Sequence, residues 1–255
     1  MHYRHNHLTK VVIRLDFGAV ATLRQTVQLE LKPEFSARIA DHYPIVVGQP
    51  TAKLSVNIGP GGSGINQEMT GIQWFHRKTE NSTCVVVLDP EFVAIEYGKD
   101  AYDHFPLFRS EVELVVTAMR ELYDVSVFTR IGLRYINEIV MPQGNPLNWD
   151  GLIAPSLVTS TMAGQQADAE MVRSMHQITT RRNESDMAFN YGLNNPDFPN
   201  ALARRAFVLD YDCARLGVEA NQAMQAITQL NQFCEIMFES SIGDGLRQQM
   251  EIIND

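Results

Sequence analysis

The sequence predicts an α+β protein with two similar halves of antiparallel strands, each backed by a long amphipathic helix. Three observations predict it. β-Branched runs with period-two alternation recur between clusters of turn residues. Two longer segments, 102–123 and about 219–239, repeat apolar residues at helical spacing. Each of these closes a group of hairpin-like runs.

Residues 9–17 (T-K-V-V-I-R-L-D-F) alternate and are rich in β-branched side chains, so they read as a strand. Pro33 suits the first turn of a short helix over 34–42, with Phe35 and Ile39 facing inward. Residues 52–58 read as a strand, and Gly59-Pro-Gly-Gly-Ser-Gly64 reads as a loop. The runs 71–79 and 83–88 suggest a hairpin turned at 80–82, and 91–97 a further strand. In 102–123 the residues Phe108, Val112, Val115, Met119 and Leu122 form one apolar stripe. Residues 125–139 (V-S-V-F-T-R-I-G-L-R-Y-I-N-E-I) form a long strand. Alternation assigns Val127, Ile131, Leu133, Tyr135 and Ile139 to a core face, and Arg130, Gly132, Arg134 and Glu138 to the other.

The run M-P-Q-G-N-P-L-N-W-D at 141–150 breaks all periodicity. It divides the chain into an N-terminal half, 1–142, and a C-terminal half, 150–255, which together can also form one compact unit. Runs 171–181 and 186–193 suggest a hairpin around 183–185, 194–199 a loop, and 206–212 a strand. In the helix over about 219–239, Ala223, Ile227, Leu230, Cys234 and Met237 face inward. Gly243 interrupts it, and Asp244 is placed to cap a last short helix through Met250. V-V-L-D at 86–89 and F-V-L-D at 207–210 precede the long helices in like places, which is what a duplication produces.

Composition narrows the function. The chain has 255 residues, 45% hydrophobic and 20% charged, as ordinary globular domains do. Its net charge of −9 repels a phosphate backbone at long range and disfavours nonspecific nucleic-acid binding. Cys84, Cys213 and Cys234 lie far apart with no C-x-x-C, so neither a disulfide framework nor a cysteine zinc site is expected. They read as small buried apolar residues in a reducing compartment. Residues 1–10 contain no apolar signal-peptide core, and no run approaches the ~18 apolar residues of a membrane span. A cytoplasmic protein, with no membrane contact and no cofactor, is the expectation.

Arg130-Ile-Gly-Leu-Arg-Tyr-Ile-Asn137 resembles the signature strand of a family of uncharacterised, sporadically distributed bacterial and archaeal proteins of about this length. The resemblance extends to the opening strand, Trp74-Phe75, the 102–123 helix and the closing F-E-x-x-I-x-x-x-L-R-x-x-M at 238–250. It implies the setting of mobile or defence-linked genes and no particular chemistry. The N-terminal histidines and the glycine-rich run at 59–64 depart from that pattern.

The candidate sites follow from side-chain chemistry. Arg130 and Arg134 share a strand face with Cα atoms ~13 Å apart. Gly132 between them opens a notch where two guanidinium forks could grip an anion, with Asn137 nearby. The competing reading is a clasp, in which each arginine pairs with an acid and locks the halves together. Asp210 and Asp212 form a D-x-D at a strand end, spaced for a divalent metal, with Asp89 as a third carboxylate. The run 59–64 lacks Walker and Rossmann spacing. His2, His5 and His7 cluster at an end that is usually mobile. Arg181-Arg182 and Arg204-Arg205, with Arg173, Arg215, Tyr191 and Phe198, could hold a nucleic-acid strand or simply protect strand edges. No catalytic residue emerges, because no G-x-S-x-G or H-E-x-x-H is present.

The expected function is therefore a non-enzymatic binding or regulatory module working with a protein partner or as a homo-oligomer. The alternative is a metal-dependent enzyme or sensor acting on nucleotides or nucleic acid.

Overall fold

Alternating strands and two amphipathic helices assemble as the pattern requires, into a mixed α+β structure. The computed structural model describes residues 2–25, 29, 32–59, 62–162 and 170–253, with backbone alone for 2, 25, 53–59 and 62–70. The chain runs β1 (His2–Tyr3), β2 (Leu8–Phe17), α1 (Ala21–Gln25), α2 (Glu34–Arg38), β3 (Ile45–Gly59), β4 (Gly62–Arg77), β5 (Cys84–Leu88) and β6 (Phe92–Gly98). It continues with α3 (Phe105–Tyr123), β7 (Val127–Met141), α4 (Pro155–Thr161), β8 (Ser174–Arg182), β9 (Ser185–Leu193) and β10 (Arg205–Glu219). It ends with α5 (Ala223–Ser241), α6 (Asp244–Met250) and β11 (Ile252–Ile253).

Nine of these strands form one antiparallel sheet in the order β3-β4-β5-β6-β2-β7-β10-β9-β8. The hairpin expected around 80–82 is β4–β5, with Trp74 opposite Leu88. The second expected hairpin is β8–β9, closed with Arg182 opposite Ser185. Asn183 in its turn takes φ 53°, a left-handed conformation that asparagine tolerates. β3 and β4 pair with each other from Ile45–Arg77 out to Gly59–Gly62, so the glycine-rich run belongs to this hairpin; residues 60–61 lie outside the described ones.

One face of the sheet carries the helices. Val112, Val115 and Met119 of α3, and Ile227 and Leu230 of α5, are fully buried against Ile13, Leu15, Ile95, Leu133 and Leu209. Each such side chain contributes ~1.5–3 kcal/mol by leaving water. Pro106 sits in the first turn of α3, where its missing N–H costs nothing, and Asp124 ends the helix in a left-handed conformation at φ 51°. A single core cluster runs from Val11 on β2 to Phe207 on β10. The central strand β7 is paired on one side with β2 and on the other with β10.

Several expectations need correction. The strict alternation along β7 fails at its start. Asp16 lies opposite Arg130, but Phe17 lies opposite Phe128, so Thr129 is an extra residue in the β2–β7 ladder. Such a bulge reverses the phase of side chains beyond it. Phe128 is therefore buried, and Val127, expected inward, is exposed. The segment 141–150 is not a free linker. Trp149 is buried against Phe207 with ring centroids 5.3 Å apart, and Arg205 donates to the Asn148 carbonyl at 2.8 Å. Asp244 is the first residue of α6 and makes no capping bond; Gly243 precedes it, and Asp244 pairs with Arg247 at 3.0 Å. The N-terminus is tied down, since β1 pairs with β11 and the amide of His5 donates to the Met250 carbonyl at 3.0 Å. The two V-L-D runs do not occupy like places: Leu88 lies in β5, two strands from β2, whereas Leu209 lies in β10, next to β7.

Among the described residues no helix is long and apolar enough to cross a membrane. All three cysteines are buried and free.

Candidate functional site

The two faces of β7 separate the residues that the sequence grouped together. Arg130 and Arg134 lie on the face away from α3 and α5, with their acidic partners on neighbouring strands. Antiparallel register places Asp212 opposite Arg134 and Asp16 opposite Arg130. The pairs made with β10 run along the diagonal. Arg134 donates two bonds of 2.7 Å to the carboxylate of Asp210, one of which goes to an oxygen that also accepts from Asn190 Nδ2 at 3.1 Å. Arg130 reaches Asp212 at 3.3 Å and Asp16 at 3.8 Å. The Asp210 side chain is 9% exposed and that of Arg134 44%, so this is a half-shielded bidentate pair. The carboxylate holds the Arg134 guanidinium above its usual pKa.

The notch over Gly132 is filled from within. The guanidinium of Arg130 folds across it, and a Cβ added at Gly132 would come within 2.7 Å of Arg130 Cζ. Arg130 thereby links β7 to both β2 and β10, an arrangement of the clasp kind. The strip continues outward with Arg14 paired to Asp16 at 2.7 Å and stacked 3.8 Å over the Phe92 ring, and with Lys10 paired to Glu96 at 2.8 Å.

The D-x-D residues are part of this ladder. Asp210 is engaged by Arg134 and Asn190, and Asp212 by Arg130. Asp89 is elsewhere, accepting from Gln73 Nε2 at 2.9 Å and from the amide of Glu91 at 3.0 Å. Among the described residues no three His, Cys, Asp or Glu side chains gather as a metal site requires. Three of the second half's arginines are likewise paired with acids. Arg181 pairs with Asp186 at 2.5 Å, Arg204 with Asp197 at 3.6 Å, and Arg215 with Glu184. Tyr191 is buried, so it is not open to a stacking base, whereas Phe198 is 56% exposed.

Asn137 is on the other face. It shares the inward side with Tyr135 and Ile139 and is 4% exposed. There it lines a cavity of about 340 Å³ where the starts of α3 and β2, the middle of β7 and the last turns of α5 come together. The wall is aromatic: Tyr102 meets Tyr135 edge-on at 5.8 Å, and Phe238 meets Tyr3 and Tyr211 at 6.1 and 6.3 Å. A hydrogen-bonded row orders the polar groups. The hydroxyls of Tyr102 and Tyr135 are 3.3 Å apart, and Tyr135 donates to Asn231 Oδ1 at 2.8 Å. Burial pushes the Tyr102 hydroxyl up to about 12 and that of Tyr135 well above its ordinary value, so both remain protonated donors. At the other end Tyr3 donates to Glu239 Oε1 at 2.7 Å, and Arg247 donates to Glu239 Oε2 at 3.2 Å.

Among the described residues the carboxamide of Asn137 has no hydrogen-bond partner; the residue is 4% exposed and lines the cavity, and its amide atoms are not among the fully buried unpartnered ones. The Tyr211 hydroxyl, which lines the same cavity, is buried without a partner of normal geometry. Ser241 lies near it, and the Ser241 proton is committed to the Met237 carbonyl at 2.6 Å.

Sequence reasoning missed this cavity because its lining comes from six separated segments. The available signal was Asn137 itself, an amide at an inward-alternating position of a core strand. Compared with known proteins, the chain matches no protein-family model and no curated sequence.

Proposed function

We propose that this chain is a non-enzymatic binding or regulatory module whose ligand port is the cavity beside Asn137. The observation that carries this is a carboxamide without a protein partner on the wall of a concave aromatic space of 340 Å³. Aromatic cavities of roughly 300–1,000 Å³ with a few convergent polar groups are where small ligands bind. The cavity also joins elements distant in sequence, from β1 to α3 to α5, so an occupant would link their positions.

The module reading includes a protein partner or a second copy of the chain. The edge strand β8 supports this: Met175 and Ile178 are exposed on it, and among the described residues no strand pairs with its outer side, which suits strand addition. Two similar halves are part of the same proposal. Outward from the central β2–β7 pair, β6-β5-β4 stands against β10-β9-β8, and α3 and α5 follow β6 and β10. The cavity would then lie where the two halves meet. The family resemblance of 130–137 suggests a mobile or defence locus as the setting. The metal-dependent alternative has less support, because the oxygens of Asp210 and Asp212 are already held by arginines.

A two-dimensional amide NMR screen of the full chain against a chemically diverse fragment library tests the port. Shifts confined to the side-chain amides of Asn137 and Asn231 and their neighbours are expected. A library that produces no shift at either would refute the reading.

A further inference from the structure

The chemistry of the cavity narrows what it accepts, on the premise that it is the ligand port. Asn137 offers a coplanar donor and acceptor, and neither is used by the described protein groups. Asn231 is different. Its Oδ1 is taken by the Tyr135 hydroxyl at 2.8 Å, so only its N–H groups remain to be offered. The occupant therefore has an acceptor for Asn231, and a donor beside an acceptor for Asn137. The flanking rings of Tyr102, Tyr135 and Phe238 favour a flat body, since π-faces and edges pack against planar groups. Charge then excludes a class. Asp103, Glu235 and Glu239 line the cavity, and among the described residues no lysine or arginine does. A phosphate or carboxylate would enter against like charge, and the one basic group among the described wall residues, the His104 imidazole, already lies 3.1 Å from Asp103.

We propose that the cavity binds a phosphate-free nitrogen heterocycle with adjacent donor and acceptor positions, a nucleobase or nucleoside, and rejects the corresponding nucleotide. Carboxamides read such edges by paired hydrogen bonds, as asparagine reads adenine.

The test is calorimetric titration of the full chain with the common nucleobases and nucleosides and with their 5′-monophosphates. It is repeated on Asn137→Leu and Asn231→Asp, with thermal unfolding checking that each variant folds. Asn231→Asp keeps an acceptor for Tyr135, removes the donors and adds a negative charge, so its effect on the uncharged base or nucleoside decides the matter if Asn137→Leu does not fold. Binding of at least one base or nucleoside is expected. Its monophosphate should bind roughly tenfold or more weakly, and each variant should lose roughly tenfold or more, since a site built around polar pairing rejects a mismatch. A monophosphate that binds as tightly as its nucleoside overturns the proposal, and so does unchanged affinity in both variants. If the fragment screen seats other compounds in the cavity and no heterocycle binds, the ligand class is wrong and the port stands. If nothing seats there, both fall.

Discussion

His76 on β4 should make this protein lose stability as the pH falls from 7 towards 4. Its ring is fully buried, edge-on to Phe35 at 5.4 Å. Nδ1 lies 3.2 Å from the Val86 carbonyl, which can only accept, so Nδ1 carries the proton; Nε2 at 2.9 Å then accepts from the Ser36 hydroxyl. The neutral tautomer satisfies both neighbours. Burial lowers the imidazole pKa from 6.5 to about 4, against the smaller opposing pull of the backbone carbonyls. The folded state therefore resists a proton that the unfolded chain accepts. The stabilisation is complete above pH 6.5 and is lost progressively as the pH falls through about 4. Between pH 7.5 and 4.5 the linkage relation gives a loss of about 2.5 kcal/mol from this residue, roughly 1.2 kcal/mol of it between pH 5.5 and 4.5, roughly 1.0 between 6.5 and 5.5 and the small remainder above 6.5. Urea unfolding at half-unit pH steps measures it. His7, whose pKa is also lowered by burial, adds slope of the same sign, so the informative quantity is the difference from a non-titrating variant. His76→Asn retains a donor near the Nδ1 position. It should be less stable at pH 7.5, and the gap to the parent should close by about 2.5 kcal/mol at pH 4.5. A gap that stays constant within ~0.5 kcal/mol would refute the reasoning.

Other outcomes follow from the two faces of β7. A double-mutant cycle of Arg134→Met and Asp210→Asn should show a coupling of about 1–2 kcal/mol in urea unfolding, because the bidentate pair is strong but the arginine is half-exposed; coupling below ~0.3 kcal/mol would remove the clasp. Gly132→Ala should push the Arg130 guanidinium off the strand and separate it from Asp212 and Asp16, at a cost under about 1 kcal/mol, since the clash is with the far end of a flexible side chain. A crystal structure of the variant with Arg130 unmoved would contradict this. Tyr211→Phe removes a buried hydroxyl that lacks a partner, so unfolding should show stability unchanged or raised by up to ~1 kcal/mol; a loss beyond that would reveal a bond the hydroxyl makes.

What the sequence made legible was local pattern. The stripe of Val112, Val115 and Met119 is set by helical periodicity, and the hairpin closing at Arg182–Ser185 by turn chemistry. What it hid was non-local. The bulge at Thr129 exists only because β2 pairs with β7 out of step, so no reading of β7 alone finds Phe128 facing the core. Trp149 looked like part of a loop because its partner, Phe207, lies far along the chain. The arginines were visible as charges on a rigid strand, but their neutralisation depends on Asp16 and Asp212, which come from β2 and β10. Asn137 was grouped with them by nearness in sequence, although one step along a strand is enough to cross the sheet.

That crossing changes where recognition chemistry should be sought. A charged group already held by an opposite charge offers little to an incoming anion, because the ligand must first displace a partner at 2.7 Å that the strand register supplies. A cavity-wall amide without a protein partner is the reverse case: an occupant that completes its bonds has no protein group to displace. Of the two faces of one strand, the conspicuous one is thus occupied with holding β2, β7 and β10 in register. The inconspicuous one keeps an unused donor and acceptor at the edge of a cavity. The two tasks are separable because they lie on opposite sides of the sheet with no shared partner, so substitutions at Arg134 should alter stability while sparing the cavity, and those at Asn231 the converse.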